Sequence, residues 1–183
     1  MGPPSEIRGV HELLSAFDVA AQQNDDLCLV CLFRNDADLD TDRMRAVIDR
    51  IRCRDRVYVI WESASREELA AFMQACHAVV LPFVIVPSEV PLAIVEALAY
   101  GKPVITTLTG GTGRFVDKFG ITCRLGDIRD LAAAMLLLVS DTKLYDNRCE
   151  AVVAMHRVHP QWDHVCRAWI DVASPLLDVG SSA

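Results

Sequence analysis

Val79–Gly111, VVLPFVIVPSEVPLAIVEALAYGKPVITTLTGG, reads as strand, loop, helix, strand, loop, and this reading decides the fold. Ala78–Leu81 is a short apolar run ended by Pro82, and Pro103–Thr106 is a β-branched run after Gly101; both suit buried strands of a parallel sheet. Between them the pattern predicts one helix, Pro91–Tyr100. It is opened by the cap-type residues Ser88 and Glu89 with Pro91 in the first turn, and closed by Gly101 and Pro103. A strand, a helix and a second parallel strand make a crossover unit, and open sheets of that kind bind ligands at the carboxyl ends of their strands.

Leu92, Ala93, Ile94, Val95, Ala97, Leu98 and Ala99 leave this helix no polar face, which predicts a helix covered on several sides. Glu96 is its only charge. A lone glutamate is usually a solvated surface group, but among such neighbours a carboxylate needs a partner or a polar ligand to offset desolvation, and a pair of sugar hydroxyls would serve. The helix start, Ser88 to Pro91, offers free backbone N–H groups and the positive dipole end to an anion such as a phosphate. The following segment, Thr107–Gly113, reads as a glycine loop in which Gly110 and Gly111 let a backbone approach a ligand, or as a plain turn.

Outward from this stretch the same alternation continues. Val10, Leu13, Leu14, Phe17 and Ala20 or Ala21 recur at helical spacing, so residues 9–23 form an amphipathic helix. A strand Leu27–Phe33, a helix from Thr41 to Ile51 and a strand Val57–Trp61 follow. Ser65 and Glu68 are a capping-box pair opening a helix to Cys76. A short strand Ile121–Arg124 leads to Asp127, the cap of a helix Leu131–Val139, and two more helices span Asp141–Arg157 and Gln161–Val172. Strands alternating with helices predict an α/β fold, a Rossmann-like parallel sheet with helices on both faces. Residues 1–174 form one domain, with 175–183 as a tail.

Composition narrows the function classes. The 183 residues carry 18 Lys and Arg against 25 Asp and Glu, a net charge of −7, which disfavours a general nucleic-acid binder. Six arginines between Arg43 and Arg56 are the local exception. Asp42 with Arg45 and Asp49 with Arg52 have helical spacing, so a solvated, salt-bridged helix face is the main reading, with peripheral contact to an anionic membrane as the minor one. The longest apolar run, Leu131–Val139, is nine residues and cannot span a bilayer. MGPPSEIRGV has no apolar signal core, and seven scattered cysteines suit reduced thiols, so the expected compartment is the cytoplasm. Cys28 and Cys31 spell C-x-x-C, but within a strand their odd spacing points them to opposite faces. His156, His159 and His164 near Cys166 match no zinc spacing. A hydrophobic content of 52% and a mean hydropathy of +0.24 point to apolar surface reserved for a partner or another domain.

The run Pro87–Gly111 resembles the signature of the family-four retaining glycosyltransferases of GT-B architecture, roughly P-S-x-x-E-G-F-G-L-x-x-x-E-A-M-A-x-G-x-P-V-I followed by a G-G loop. The match is Glu96-Ala97-Leu98-Ala99-Tyr100-Gly101-Lys102-Pro103-Val104-Ile105 and then Gly110-Gly111. The resemblance implies the carboxy-terminal half of such an enzyme, with Glu96 on the ribose hydroxyls of a nucleotide sugar. Glu89 is then the candidate for the first, catalytic-site glutamate, one position closer to Glu96 than the family spacing; without a gap Ser88 takes that place. Val90-Pro91-Leu92 replaces the Gly-Phe-Gly-Leu segment against the sugar and diphosphate, and Arg114 replaces a glutamate after the G-G pair. Gly2–Gly9 resembles the family's G-R-L-x-x-x-K-G phosphate turn, with Arg8 at the lysine and Pro3 in place of the arginine. Trp61 falls where the family places its base-binding loop, and packing is its other reading.

These correspondences imply a donor-binding half that takes a UDP- or GDP-hexose as co-substrate, with no cofactor and no metal. The family's preceding strand and its amino-terminal acceptor domain have no counterpart in the sequence, so the chain is expected to need a missing or separately encoded acceptor domain, to be inactive alone, and to expose strand edges. The rival class is a non-catalytic nucleotide-sugar-binding module or subunit, favoured by Pro3, the Glu89 spacing and Arg114. A phosphoacceptor receiver domain is the weaker fold-level rival, since only Asp36 stands at a strand end.

Overall fold

The computed structural model describes residues 6–33, 41–86 and 90–178, the side chains of 175–178 excepted. The described residues hold five strands: β1 Leu29–Leu32, β2 Val57–Ile60, β3 Val79–Leu81, β4 Val104–Thr107 and β5 Ile121–Cys123. Eight helices accompany them: α1 Val10–Ala21, α2 Thr41–Ile48, α3 Arg66–Ala75, α4 Leu92–Ala99, α5 Gly110–Val116, α6 Ile128–Ser140, α7 Thr142–Val158 and α8 Trp162–Asp178. Local chemistry sets many of the boundaries. Ser65 and Glu68 close a reciprocal capping box at α3, with bonds of 3.1 and 2.8 Å, and the carboxylates of Asp127 and Asp141 accept the amides of Asp130 and Leu144 at α6 and α7. At the carboxyl end of α1, Arg56 donates to the carbonyls of Ala21 and Asn24 at 2.7 and 2.9 Å, a cation set against the negative helix end.

All strand pairings are parallel, and helices cover both faces as the alternation predicts. On one face α1 and α6 bury Ala16, Phe17, Ala20, Leu131, Met135 and Leu138 against Ile105 and Cys123, with α2 closing over β1 and β2. On the other, Met73, Ile94, Leu98, Phe119 and Val152 of α3, α4, α7 and the turn after α5 pack on Val104. The adjacent residues Val104 and Ile105 thus point to opposite cores, and β4 is buried along its whole length.

Among the described residues the strands pair in two groups, in the order β1-β2 and β3-β4-β5. Corrections to the sequence reading are local. Thr107–Gly113 is not a glycine loop, because Gly110 and Gly111 open α5. α4 is covered on several sides as expected: it packs on the sheet and α7 through Ala93, Ile94, Ala97 and Leu98, Val95 and Glu96 are half-buried, and only Leu92, 72% exposed, and Ala99 are open. α8 runs on through residues expected to be tail. α2 ends at Ile48, so Arg52 bonds Gln22 on α1 rather than Asp49, and Asp49 pairs with Arg54 instead. Arg45 lies over the ring of Trp61. The Pro3 and Asp36 readings fall outside the described residues.

Gly9 joins a single 3-10 turn, Glu6–Arg8, to α1 at φ +70°, and a Cβ there would lie 1.8 Å from the carbonyl oxygen of Pro82. Gly126 has φ +72° with open space around it. Gly126→Ala should therefore cost only the left-handed backbone term, about 1–2 kcal/mol. Gly9→Ala should cost clearly more, because the turn and Pro82 must separate. Urea unfolding of the two variants checks this; equal losses would refute the close contact.

Candidate functional site

The carboxyl ends of β3 and β4 are tied together by hydroxyls. Thr106 Oγ1 donates to the Leu81 carbonyl at 2.7 Å, and Thr107 Oγ1 donates to the Phe83 carbonyl, which Thr109 Oγ1 also reaches at 3.3 Å. The loop after β3 is held from its other side by the amino-terminal turn, where the Ile7 carbonyl accepts the amides of both Val84 and Ile85 at 3.0 Å. Three separate segments, 6–9, 82–86 and 107–109, are thereby brought together at the end of the sheet where ligands of such folds bind. Arg8 lies in the first of them, half-buried, and has no side-chain partner among the described residues.

That loop feeds α4. Its N-cap is Pro91, extended at φ −58° and ψ 139°, with no side-chain hydrogen bond. Pro91 thus precedes the first turn rather than lying in it. Val90 is half-buried beside it, and Leu92 projects at the helix mouth. One turn further along, Glu96 is half-buried, and its Oε2 is enclosed without a hydrogen-bond partner among the described residues. An enclosed carboxylate oxygen with no donor is costly, so it marks a place where a donor from a ligand would be rewarded. Ser88 and Glu89 lie outside the described residues.

The glycines after β4 serve the chain itself. Gly110 needs its positive φ of 56° and has open space where a Cβ would be, whereas a Cβ on Gly113 would lie 2.8 Å from the backbone of Leu108. Gly111 is exposed in the first turn of α5, and Arg114 is exposed further along that helix. An open recess of about 430 Å3 lies beside the amino-terminal turn, lined by Glu6, Ile7, His11, Glu12, Val84 and Ile85. Its two carboxylates do not make a phosphate cradle.

The remaining candidates separate from this region. Trp61 meets Phe33 at 5.6 Å between ring centroids and joins the core under α2, so it packs as well as facing Arg45. His159 lies 6.0 Å from the ring of Phe115, and His164 and Cys166 are exposed; no three His, Cys, Asp or Glu side chains among the described residues come together as metal ligands. Cys28 is exposed and Cys31 buried, on opposite faces as their spacing predicts, and burial pushes the Cys31 thiol up to about 12. The threonine ties were not anticipated. Their signal is the Thr-x-Thr spacing of Thr107 and Thr109 where a buried strand ends in polar hydroxyls.

Residues 1–141 match the family of group 1 glycosyl transferases. The chain belongs to that family. Solved structures share the fold of these glycosyl transferases at low identity. The C-terminal domain of the group 1 glycosyl transferase LpcC from Francisella tularensis superposes with a TM-score of 0.75 at 19% identity, covering 87% of this chain and 83% of that one. Anabaena HepE in complex with UDP-glucose gives 0.71 at 23% identity, over 85% of this chain and 43% of that one. The trehalose 6-phosphate synthase of Burkholderia multivorans gives 0.80 at 14%, over 100% of this chain and 43% of its own. The chain therefore spans less than half the length of the longer enzymes it resembles and most of the isolated LpcC domain. No curated protein sequence matches it.

The threonine tether is directly testable. Thr107→Val should lower stability by about 1–2 kcal/mol, because the Phe83 carbonyl loses its buried donor, while Thr107→Ser keeps the hydroxyl and most of the stability. Denaturant midpoints of the three proteins check it, and a valine variant as stable as the serine one would show that the bond contributes nothing.

Proposed function

We propose that this chain is the donor half of a retaining glycosyltransferase of the family-four, GT-B type, transferring a hexose from UDP or GDP to an acceptor held by another domain. The observation that carries the reading is the enclosed, unpartnered Oε2 of Glu96 on the crossover helix of a group 1 domain. Two ribose hydroxyls would supply the donors that the described residues do not. Val90, Pro91 and Leu92 at the mouth of α4 would face the diphosphate with Arg8 opposite, the backbone at Gly110 and Gly111 would border the sugar, and Ser88 and Glu89, outside the described residues, are the further candidates by sequence position. Developing charge on the leaving diphosphate would then meet a cation and helix N–H groups. HepE, crystallised with UDP-glucose, supports a uridine donor by likeness of fold alone.

The acceptor domain, of comparable size, would be a separate part of the protein or a separate subunit, and the site would work at the cytoplasmic side with no cofactor beyond the nucleotide sugar. Chemistry in such a cleft draws several kcal/mol from holding two substrates together, so the 183 residues alone should bind donor without transferring sugar. A second reading, a non-catalytic nucleotide-sugar module, is favoured by the two carboxylates of Glu6 and Glu12 beside the turn that carries Arg8. Donor binding with transfer after an acceptor domain is supplied speaks for the first reading, and donor binding without transfer speaks for the second.

Glu96→Ala should weaken UDP or GDP binding by roughly 1.5–3 kcal/mol while leaving the unliganded chain as stable as before or more so, since an enclosed carboxylate without a donor is removed. Calorimetric titration and thermal melts of both proteins decide it. Unchanged nucleotide affinity would refute the role of Glu96, and a large drop in stability would make it a structural residue.

Uridine diphosphate should bind more tightly than uridine, with an advantage that shrinks as salt rises and is reduced in Arg8→Ala. Titrations at two ionic strengths test this. A nucleoside that binds as well as its diphosphate would remove the proposed phosphate subsite.

A further inference from the structure

Of the seven cysteines, Cys76 and Cys149 are the two that are half-buried. They are far apart in the sequence, but the fold brings their surroundings together. Cys76 ends α3, and the ring of the next residue, His77, stacks on that of Tyr145 in α7, with centroids 3.8 Å apart and 11° between the planes. Cys76 itself packs against the core to which Val152 of α7 belongs. Tyr145, Cys149 and Val152 fall at i, i+4 and i+7, one stripe of α7, so Cys149 lies between the two places where this helix meets residues 76 and 77. Side-chain chemistry agrees with that placement. The Tyr145 hydroxyl is bonded to Cys149, and burial, that bond and the charges of Cys149, Cys76 and Asp146 push the phenol up to about 12. A phenol that keeps its proton at neutral pH is a donor to the Cys149 sulfur.

The cluster is not a metal centre, because His77 Nε2 donates to the Leu138 carbonyl at 2.9 Å and no three ligand-type side chains among the described residues converge. Cys31 and Cys123 differ from this pair: both are buried, and desolvation pushes their thiols up to about 12, which keeps them inert. We propose that Cys76 and Cys149 are a reversible dithiol, closed to a disulfide by a low-molecular-weight disulfide such as oxidised glutathione, and that the bond fastens the end of α3 to α7. Burial holds the Cys76 thiol above its ordinary value, against the pull of Lys102, so Cys149 reacts first. It gives its proton to water and attacks one sulfur of the small disulfide; that S–S bond breaks, and one small thiolate leaves and is protonated. Cys76 then loses its proton, attacks the Cys149 sulfur, releases the second small thiol and closes the protein S–S bond. Two protein thiols are oxidised and one small disulfide is reduced to two thiols. The bond closes a long loop of chain and ties α3 to the helix that packs on α4, so the oxidised form is harder to unfold. The inference is independent of the nucleotide reading.

Peptide mapping in glutathione buffers tests it. The purified chain, and the same chain with the exposed thiols removed by Cys28→Ser and Cys166→Ser, are equilibrated with reduced and oxidised glutathione, alkylated, and digested with trypsin without reduction. With oxidised glutathione in about tenfold excess, mass spectrometry should find the peptides bearing Cys76 and Cys149 joined in both proteins, and dithiothreitol should part them. The urea midpoint of the joined form should lie higher than that of the reduced form by about 1 M or more, a gain absent from Cys76→Ser and Cys149→Ser treated alike. Three results would overturn the inference: both thiols ending as separate glutathione adducts, pairing of either with a different cysteine, or a joined form whose midpoint is no higher than that of the reduced chain.

Discussion

Ala16, Phe17, Ala20 and Ala21 on α1 meet Leu131, Met135 and Leu138 on α6 along one buried seam, and residues of both strand groups pack against it. No ladder bond among the described residues joins β1 and β2 to β3, β4 and β5, so the two strand groups keep their places because both lie under this helix pair. Three alanines on α1, all fully buried, let the helix backbones come close while Phe17, Leu131 and Met135 fill the remaining volume. Apolar packing of this kind is strong but non-directional, which is why polar ties are needed to fix finer positions.

Those ties concentrate at the carboxyl ends of β3 and β4. Thr106, Thr107 and Thr109 spend their hydroxyls on the carbonyls of Leu81 and Phe83, and the Ile7 carbonyl takes two amides of the next residues. The surrounding frame is over-determined, and within it Glu96 holds an enclosed oxygen that nothing described satisfies. Local conflict inside a consistent frame is the usual signature of a residue kept for binding rather than for folding.

Much of this was legible in the chain itself. Helical spacing placed α1, the Ser65–Glu68 box placed α3, Asp127 placed α6, and the β-branched run after Gly101 placed β4 to within a residue. Glu96 stood out because it is the only charge on an apolar helix. What failed depends on partners distant in sequence. Whether Arg52 bonds Asp49 or Gln22 depends on where α2 stops and on a partner thirty residues away.

The double acceptance by Ile7 makes residues 6–9 and 82–86 a single kinematic link. The loop that enters α4 takes its place from a turn more than seventy positions earlier in the chain, and Gly9 pressed on Pro82 leaves no slack between them. Motion is therefore not free to relax locally: whatever seizes the amino-terminal turn also seizes the chain that leaves β3, as a hand on one bar of a linkage moves the other.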